Sequence, residues 1–152
     1  MYVPTAVFPT SGVGRHETRI GSFEMALRDA GIAPYNLVPV SSIVPPDADV
    51  VEPAEGVASL EEGQIVHAVL ARADTDGEGS VAGGVGVATA SEEHGYAVEQ
   101  TGSDENAVGD AAETLAMDLL ESEPDDSFAV TASATGDGDR WTTAVASLVY
   151  VP

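Results

Sequence analysis

Residues 36–46 read N-L-V-P-V-S-S-I-V-P-P, from Asn36 to Pro46. An extended apolar run, Leu37 to Val40, meets the serine pair Ser41-Ser42, and Ile43, Val44 and two prolines follow. Proline lacks an N–H and fixes φ, so regular structure stops at Pro45. The serine pair therefore stands where a strand is forced to end. Two readings of it are open. Ser and Pro are ordinary turn residues, so the pair is a polar turn by which a strand leaves the core. Alternatively, a constrained hydroxyl beside a peptide bond attacks that bond.

Working upstream, Ser22 suits an N-cap for a helix over Phe23–Ala30. Phe23, Ala26, Leu27 and Ala30 give it an apolar face, and Glu24 lies in its first turn, where a carboxylate suits the dipole. Gly31 ends it. Before it, Thr5–Phe8 reads as a first strand and Thr10–Gly14 as a Gly-rich loop. Downstream, the acidic stretch 47–63 reads as a solvated connection. A strand follows over Gln64–Ala73, with His67 inside it as a hydrogen-bonded sheet residue. Asp74–Gly79 reads as a hairpin turn and not a calcium loop, because the twelfth place holds Val85 where a bidentate Glu is needed; no metal site is expected. Further strands are expected over Ser80–Ala90 and Tyr96–Gln100. On the latter, Glu99 faces away from Tyr96 and Val98. The main helix is placed from Ser103 to about Glu123, with Val108, Ala112, Leu115 and Leu119 as its buried stripe. Strands over Phe128–Ala134 and Trp141–Val151 make a terminal hairpin. This order predicts a single α+β domain with helices covering an antiparallel or mixed sheet.

The 152 residues suit one core, and 43% hydrophobic content argues against global disorder. There is no cysteine, which excludes disulfides and thiolate chemistry. The net charge is -21, and all five cations are arginines: Arg15, Arg19, Arg28, Arg72 and Arg140. Such a chain repels nucleic acid and anionic lipid. Its acid is spread along the chain, which fits adaptation to a salt-rich cytoplasm, where screening removes self-repulsion. An acidic protein that binds cations or basic partners is the competing reading. The start, M-Y-V-P-T-A-V-F-P-T, has no positive n-region, and no apolar run is long enough to span a membrane. A soluble cytoplasmic protein is expected.

The stretch F-E-M-A-L-R-D-A-G-I-A-P-Y-N-L-V-P-V-S-S-I-V-P-P, Phe23 to Pro46, resembles the pyruvoyl-dependent arginine decarboxylases. Weaker similarity runs through Ser11-Gly12-Val13-Gly14 and from Gly95 to Glu99. The resemblance covers most of the chain, with 47–63 and 74–79 the least similar parts. It implies a four-layer αββα sandwich assembled as a homotrimer. It implies self-cleavage between Ser41 and Ser42 into chains 1–41 and 42–152, with Ser42 becoming a covalent pyruvoyl group. The implied activity converts L-arginine to agmatine and carbon dioxide. By the same resemblance Asn36 donates to the oxyanion of the cleavage step, and Glu99 protonates the substrate α-carbon, for which burial would keep it protonated. Without it, Asn36 reads as a turn residue at a strand edge and Glu99 as one solvated acid among 26. Glu24 stands where the family has an aspartate facing the guanidinium, a departure in length but not in charge. Ile20 would line the aliphatic part of the substrate.

One constraint is independent of the resemblance. Decarboxylating an amino acid leaves a carbanion that needs an electron sink, which side chains do not provide, so a carbonyl cofactor is required. The chain has no lysine, so a lysine-anchored cofactor is excluded. Decarboxylation of another amino acid, and an unprocessed scaffold of the same fold, are the alternatives.

Overall fold

The computed structural model describes residues 2–152. The elements are β1 (Ala6–His16), α1 (Arg19–Asp29), β2 (Asn36–Pro39), β3 (Ile43–Val44), β4 (Asp49–Val50), α2 (Pro53–Ala58), β5 (Ile65–Thr75), β6 (Ser80–Ala90), β7 (Glu93–Gly102), α3 (Glu105–Leu119), β8 (Asp126–Thr135) and β9 (Trp141–Val151). They form one sheet ordered β2-β5-β9-β1-β4 and a second ordered β3-β7-β6-β8. Only the β1–β4 and β2–β5 pairs are parallel. The sheets face each other across a core that joins Val7, Val69, Leu148 and Tyr150 of the first to Val44, Val85, Val87 and Ala97 of the second. Helix α1 covers the outer face of the first sheet through Ala26, Leu27 and Ala30. Helix α3 covers the outer face of the second through Ala116 and, just past its end, Leu120. The result is the expected α+β chain in four layers, αββα.

The structure departs from the sequence reading in several places. Strand β1 runs unbroken through Ser11–Gly14, where a loop was expected. A Cβ on Gly12 or Gly14 would run into the α1 backbone at Ala26, so these glycines let helix and strand approach closely. The helix starts earlier than expected. Thr18, not Ser22, is its N-cap and accepts from the Gly21 N–H. Ser22 is buried inside the helix, its hydroxyl bonded to Thr143. The acidic connection holds β4, which pairs with β1, and α2, which begins on Pro53, where a missing N–H costs nothing. The buried stripe of α3 is Val108, Gly109, Ala112 and Ala116, and Leu115 and Leu119 face outward. Small side chains on that face let the helix sit against Gly86 of β6, where a Cβ would strike the Ala112 backbone. Finally, β8 and β9 are not a hairpin. β8 pairs with β6 in the second sheet, and β9 lies between β5 and β1 at the centre of the first. β9 is buried from Thr142 to Val151, a residue run that only a central strand can bury on both faces.

Asp74, read as a turn residue, lies in β5 with its side chain 6% exposed. It accepts from Thr143 Oγ1 at 2.6 Å, from Arg72 Nε at 3.1 Å and from Arg19 Nε at 3.1 Å. Burial alone would raise its pKa, but the hydrogen bonds from Thr143 and Arg72 outweigh burial and hold the carboxyl below its ordinary value of 3.8. A depressed native pKa adds stability above the unfolded value and loses it as pH falls through the native one. Asp74→Ala should therefore cost about 2 kcal/mol at neutral pH, since it removes the acceptor of the buried Thr143 hydroxyl and of two arginines. The gap in melting temperature between variant and parent should close as pH falls below about 4. A gap that is constant with pH would show that the carboxylate charge contributes nothing.

Candidate active site

The serine pair lies where the chain passes from one sheet to the other. Val40 still belongs to the first sheet, its N–H donating to the Ala68 carbonyl at 3.0 Å. Ser42 already belongs to the second, its carbonyl accepting from the Ala97 N–H at 2.8 Å. Ser41 alone spans the step. It is exposed and Ser42 is half-buried. The prolines act as the sequence suggested: β3 ends at Val44, directly before Pro45. Pro39, by contrast, lies inside β2, which tolerates it as an edge strand.

The crossing forms one wall of a cavity of about 560 Å³ at the end of the sandwich, lined by Tyr2, Val40, Ser41, Ile43, His67 and Tyr150 among others. Inside it His67 Nδ1 is 2.8 Å from the Tyr2 hydroxyl, so this histidine is a bonded sheet residue as expected. The Tyr150 hydroxyl donates to the Ile43 carbonyl at 2.8 Å, from β9 across to the second sheet. Burial pushes the Tyr150 phenol up to about 12, so it stays a donor at neutral pH. Sequence reasoning missed Tyr150 and the Ala97 N–H. A tyrosine at the end of an apolar strand carries no signal of its own, and a backbone donor carries none at all.

Glu99 lies on β7, two residues beyond Ala97 and on the same face. That puts it roughly 7 Å along the strand from the N–H that holds Ser42. β3 covers β7 only at Gly95 and Tyr96, so β7 is a bare edge at Glu99. The side chain is accordingly exposed, and the burial expected for it is not supplied by this chain alone.

The remaining expected residues are elsewhere. Asn36 opens β2 at its far end, opposite Ile65, and its Nδ2 donates to the Gly63 carbonyl at 2.8 Å. Val40 is four residues further on, roughly 13 Å away, so within one chain Asn36 does not donate to the Ser41 carbonyl. Glu24 and Ile20 lie on α1, outside the first sheet, one turn apart on one helix face. Ile20 is 77% exposed. Glu24 lies in the second turn and not the first, and accepts from Arg28 Nε at 3.3 Å. The start of α1 lies by Trp141, where the Arg19 guanidinium sits 5.7 Å above the indole. The crossing lies at the other end of β9, whose Val149 is level with Ala68 and Pro39. Ile20 and the serine pair are therefore on the order of 20 Å apart. The structure places Glu99 on the strand that holds Ser42, roughly 7 Å along from the Ala97 N–H, and keeps Ile20, Glu24 and Asn36 away from the serine pair.

Residue 42 suits conversion into a carbonyl group. Its own carbonyl oxygen is already held by a backbone donor, and largely apolar side chains surround the crossing. The chain has no lysine on which a carbonyl cofactor could be anchored instead.

The fold and site thus define a four-layer αββα protein whose candidate chemistry rests on a serine pair and a neighbouring carboxylate. The family model for pyruvoyl-dependent arginine decarboxylase matches residues 6–152. A relative from Archaeoglobus fulgidus, called pyruvoyl-dependent arginine decarboxylase 2, is 44% identical over 98% of each chain. One of the same name from Methanosarcina mazei is 40% identical, over 98% of this chain and 97% of its own. One from Methanocella arvoryzae, called pyruvoyl-dependent arginine decarboxylase, is 39% identical over 98% of this chain and 96% of its own. The chain belongs to the pyruvoyl-dependent arginine decarboxylase family.

Proposed function

We propose that this protein is an arginine decarboxylase that makes its own pyruvoyl group from Ser42, converting L-arginine to agmatine and carbon dioxide. The observation that carries the reading is the crossing: a serine pair held between two sheets, beside Glu99, in a chain of this family without lysine. Ser42 Oγ attacks the Ser41 carbonyl carbon. The C–N bond breaks as the ester bond forms, and the hydroxyl proton ends on the nitrogen of residue 42. Loss of the residue 42 α-proton then expels Ser41 as a carboxylate, ending the chain 1–41. Water displaces ammonia from the dehydroalanine left at position 42, and the chain 42–152 begins with a pyruvoyl group. That group, once formed, supplies the electron sink that decarboxylation needs.

The protein's own residues do the rest. The Ala97 N–H donates to the residue 42 carbonyl oxygen and stabilises negative charge there. Glu99 holds the proton delivered to the substrate α-carbon. Glu24 receives the substrate guanidinium in this reading, in place of the Arg28 guanidinium from which it now accepts. The charge of -21 favours a cationic substrate over an anionic one.

Ile20, Glu24 and Asn36 serve a neighbouring copy in this reading. The separation within one chain supports it, as do the exposed Val38, Val40, Ile43 and Ile65 around edge strand β2 and the crossing. A neighbour would also bury Glu99. Three copies is the number the family resemblance implies. No helix among the described residues is long and apolar enough to cross a membrane, and we place the protein in a salt-rich cytoplasm. Incubation of purified protein with L-arginine at high salt should yield agmatine and carbon dioxide in equal amounts. A fully cleaved protein that decarboxylates other amino acids and leaves arginine untouched would overturn the substrate.

The charge leads to a further expectation. At about 0.1 M salt the Debye length is about 10 Å, and at 1 M about 3 Å. Repulsion among 26 acids against five arginines is screened only in the second case. The melting temperature should therefore climb steeply between about 0.1 M and 2 M potassium chloride, and assembly should fail first at the low end. A flat melting temperature over that range would contradict adaptation to salt.

A further inference from the structure

Tyr150 has no part in the chemistry above, yet it holds the backbone beside the bond to be cut. Its ring is 3% exposed and packs in the inter-sheet core. Its hydroxyl leaves that core to meet the Ile43 carbonyl at 2.8 Å. The preceding carbonyl, of Ser42, is held by the Ala97 N–H at 2.8 Å. Two successive carbonyls are thus fixed by donors from two different sheets, β9 and β7. For Ser42 Oγ to attack the Ser41 carbonyl carbon it must close a small ring through its own Cβ, Cα and N. That closure depends on the backbone angles of residue 42 and on where its Cα points. On the side of the exposed Ser41 the nearest backbone bond is that of Val40 to Ala68, whereas on the Ile43 side two successive carbonyls are held. An apolar side chain would pack the position as well, so the hydroxyl needs a reason beyond packing.

We propose that Tyr150 is a positioning residue for self-cleavage: by holding the Ile43 carbonyl it fixes the backbone of Ser42 so that its hydroxyl is aimed at the Ser41 carbonyl. The proposal rests on the self-cleavage reading above. It adds a residue from the last strand of the chain, far in sequence from the serine pair. Because burial keeps the phenol protonated, the bond persists across the working pH range.

The test follows cleavage in time. Wild-type, Tyr150→Phe and Tyr150→Leu precursors are purified unfolded, refolded into high salt, and the uncut fraction is read by intact mass. Hydroxylamine, which cuts the ester, is added to parallel samples to measure how much ester has formed. Tyr150→Phe keeps the ring and should cleave about tenfold more slowly or worse, with less ester trapped, because a small misplacement of the attacking atom is costly. Its melting temperature, measured in the Ser42→Ala background, should stay close to that of Ser42→Ala alone. 4-Aminophenylalanine at position 150 restores a donor and should recover most of the rate. Slow cleavage in Tyr150→Leu with a wild-type rate in Tyr150→Phe would assign the position to packing and overturn the proposal. So would a Tyr150→Phe protein that fails to fold, with folding and cleavage both restored by 4-aminophenylalanine, since the bond would then serve the fold. Wild-type protein that never cleaves is a different failure, and removes the reading on which the proposal stands.

Discussion

Ser42→Ala protein should remain one chain of 152 residues, while wild-type protein separates into 1–41 and 42–152. The substitution removes one oxygen from a half-buried side chain at the crossing, so fold and melting temperature should barely change. The effect on cleavage should be complete, because no other hydroxyl is placed to replace it. Ser41 is the neighbouring serine, but its Oγ belongs to the residue whose carbonyl is attacked, on the wrong side of the bond. The variant should also make no agmatine, since the electron sink arises only from residue 42. Ser42→Ala that cleaves efficiently at the same bond would show that hydrolysis, and not an acyl shift, does the cutting.

Glu99→Gln should separate the two reactions proposed for this chain. It keeps size and hydrogen-bonding capacity but holds no acidic proton. Cleavage at Ser41-Ser42 should proceed, since the Ala97 N–H and the Tyr150 hydroxyl, which hold that segment, are untouched. Turnover of arginine by the fully cleaved variant should fall by ~10²-fold or more, the usual scale for a lost general acid. Arginine binding should be largely kept, because the residue proposed to receive the guanidinium is Glu24. The exposure of Glu99 in a single chain sharpens the experiment, because the proposed acid role requires a neighbouring copy to bury it. Near wild-type turnover at saturating arginine would return Glu99 to the solvated surface acids. Glu93, the other acid near the start of β7, would be a poor substitute, because its carboxylate is engaged by the Glu121 N–H and the Ser122 hydroxyl.

Much of this was legible in the sequence, and the failures have physical causes. The prolines at 45 and 46 do end a strand, but it is β3, which resumes after the serine pair; the step between sheets at Ser41 was not legible, because β2 already ends at Pro39. β6 was read with correct bounds, since its apolar run is flanked by turn residues on both sides. The Gly-rich part of β1 was lost to a loop because glycine weakens a strand in isolation. What rescues it is α1 lying against Gly12 and Gly14, a tertiary contact that local pattern does not carry. The same limit moved the α3 stripe from Leu115 and Leu119 onto Gly109 and Ala116. Periodicity favours large apolar residues, whereas a helix pressed on Gly86 needs small ones. The separate partners of β8 and β9 escaped because a short Gly-Asp turn permits a hairpin as readily as a step between sheets. At the site, the antiparallel register of β3 on β7 sets Ala97 against the Ser42 carbonyl, with Glu99 two residues further along β7. Ile20, Glu24 and Asn36 lie away from the site, on α1 and at the far end of β2, a placement set by tertiary packing that local sequence pattern does not carry.

The central claim is that residue 42 ends as a pyruvoyl group made by the chain itself, and intact-mass measurement of freshly purified protein tests it most directly. Two species are expected, one of residues 1–41 ending in a free carboxylate. The other should span 42–152 and be lighter by one ammonia than a chain beginning with serine. A single uncut chain, or a 42–152 chain with an intact serine amine, would contradict the account.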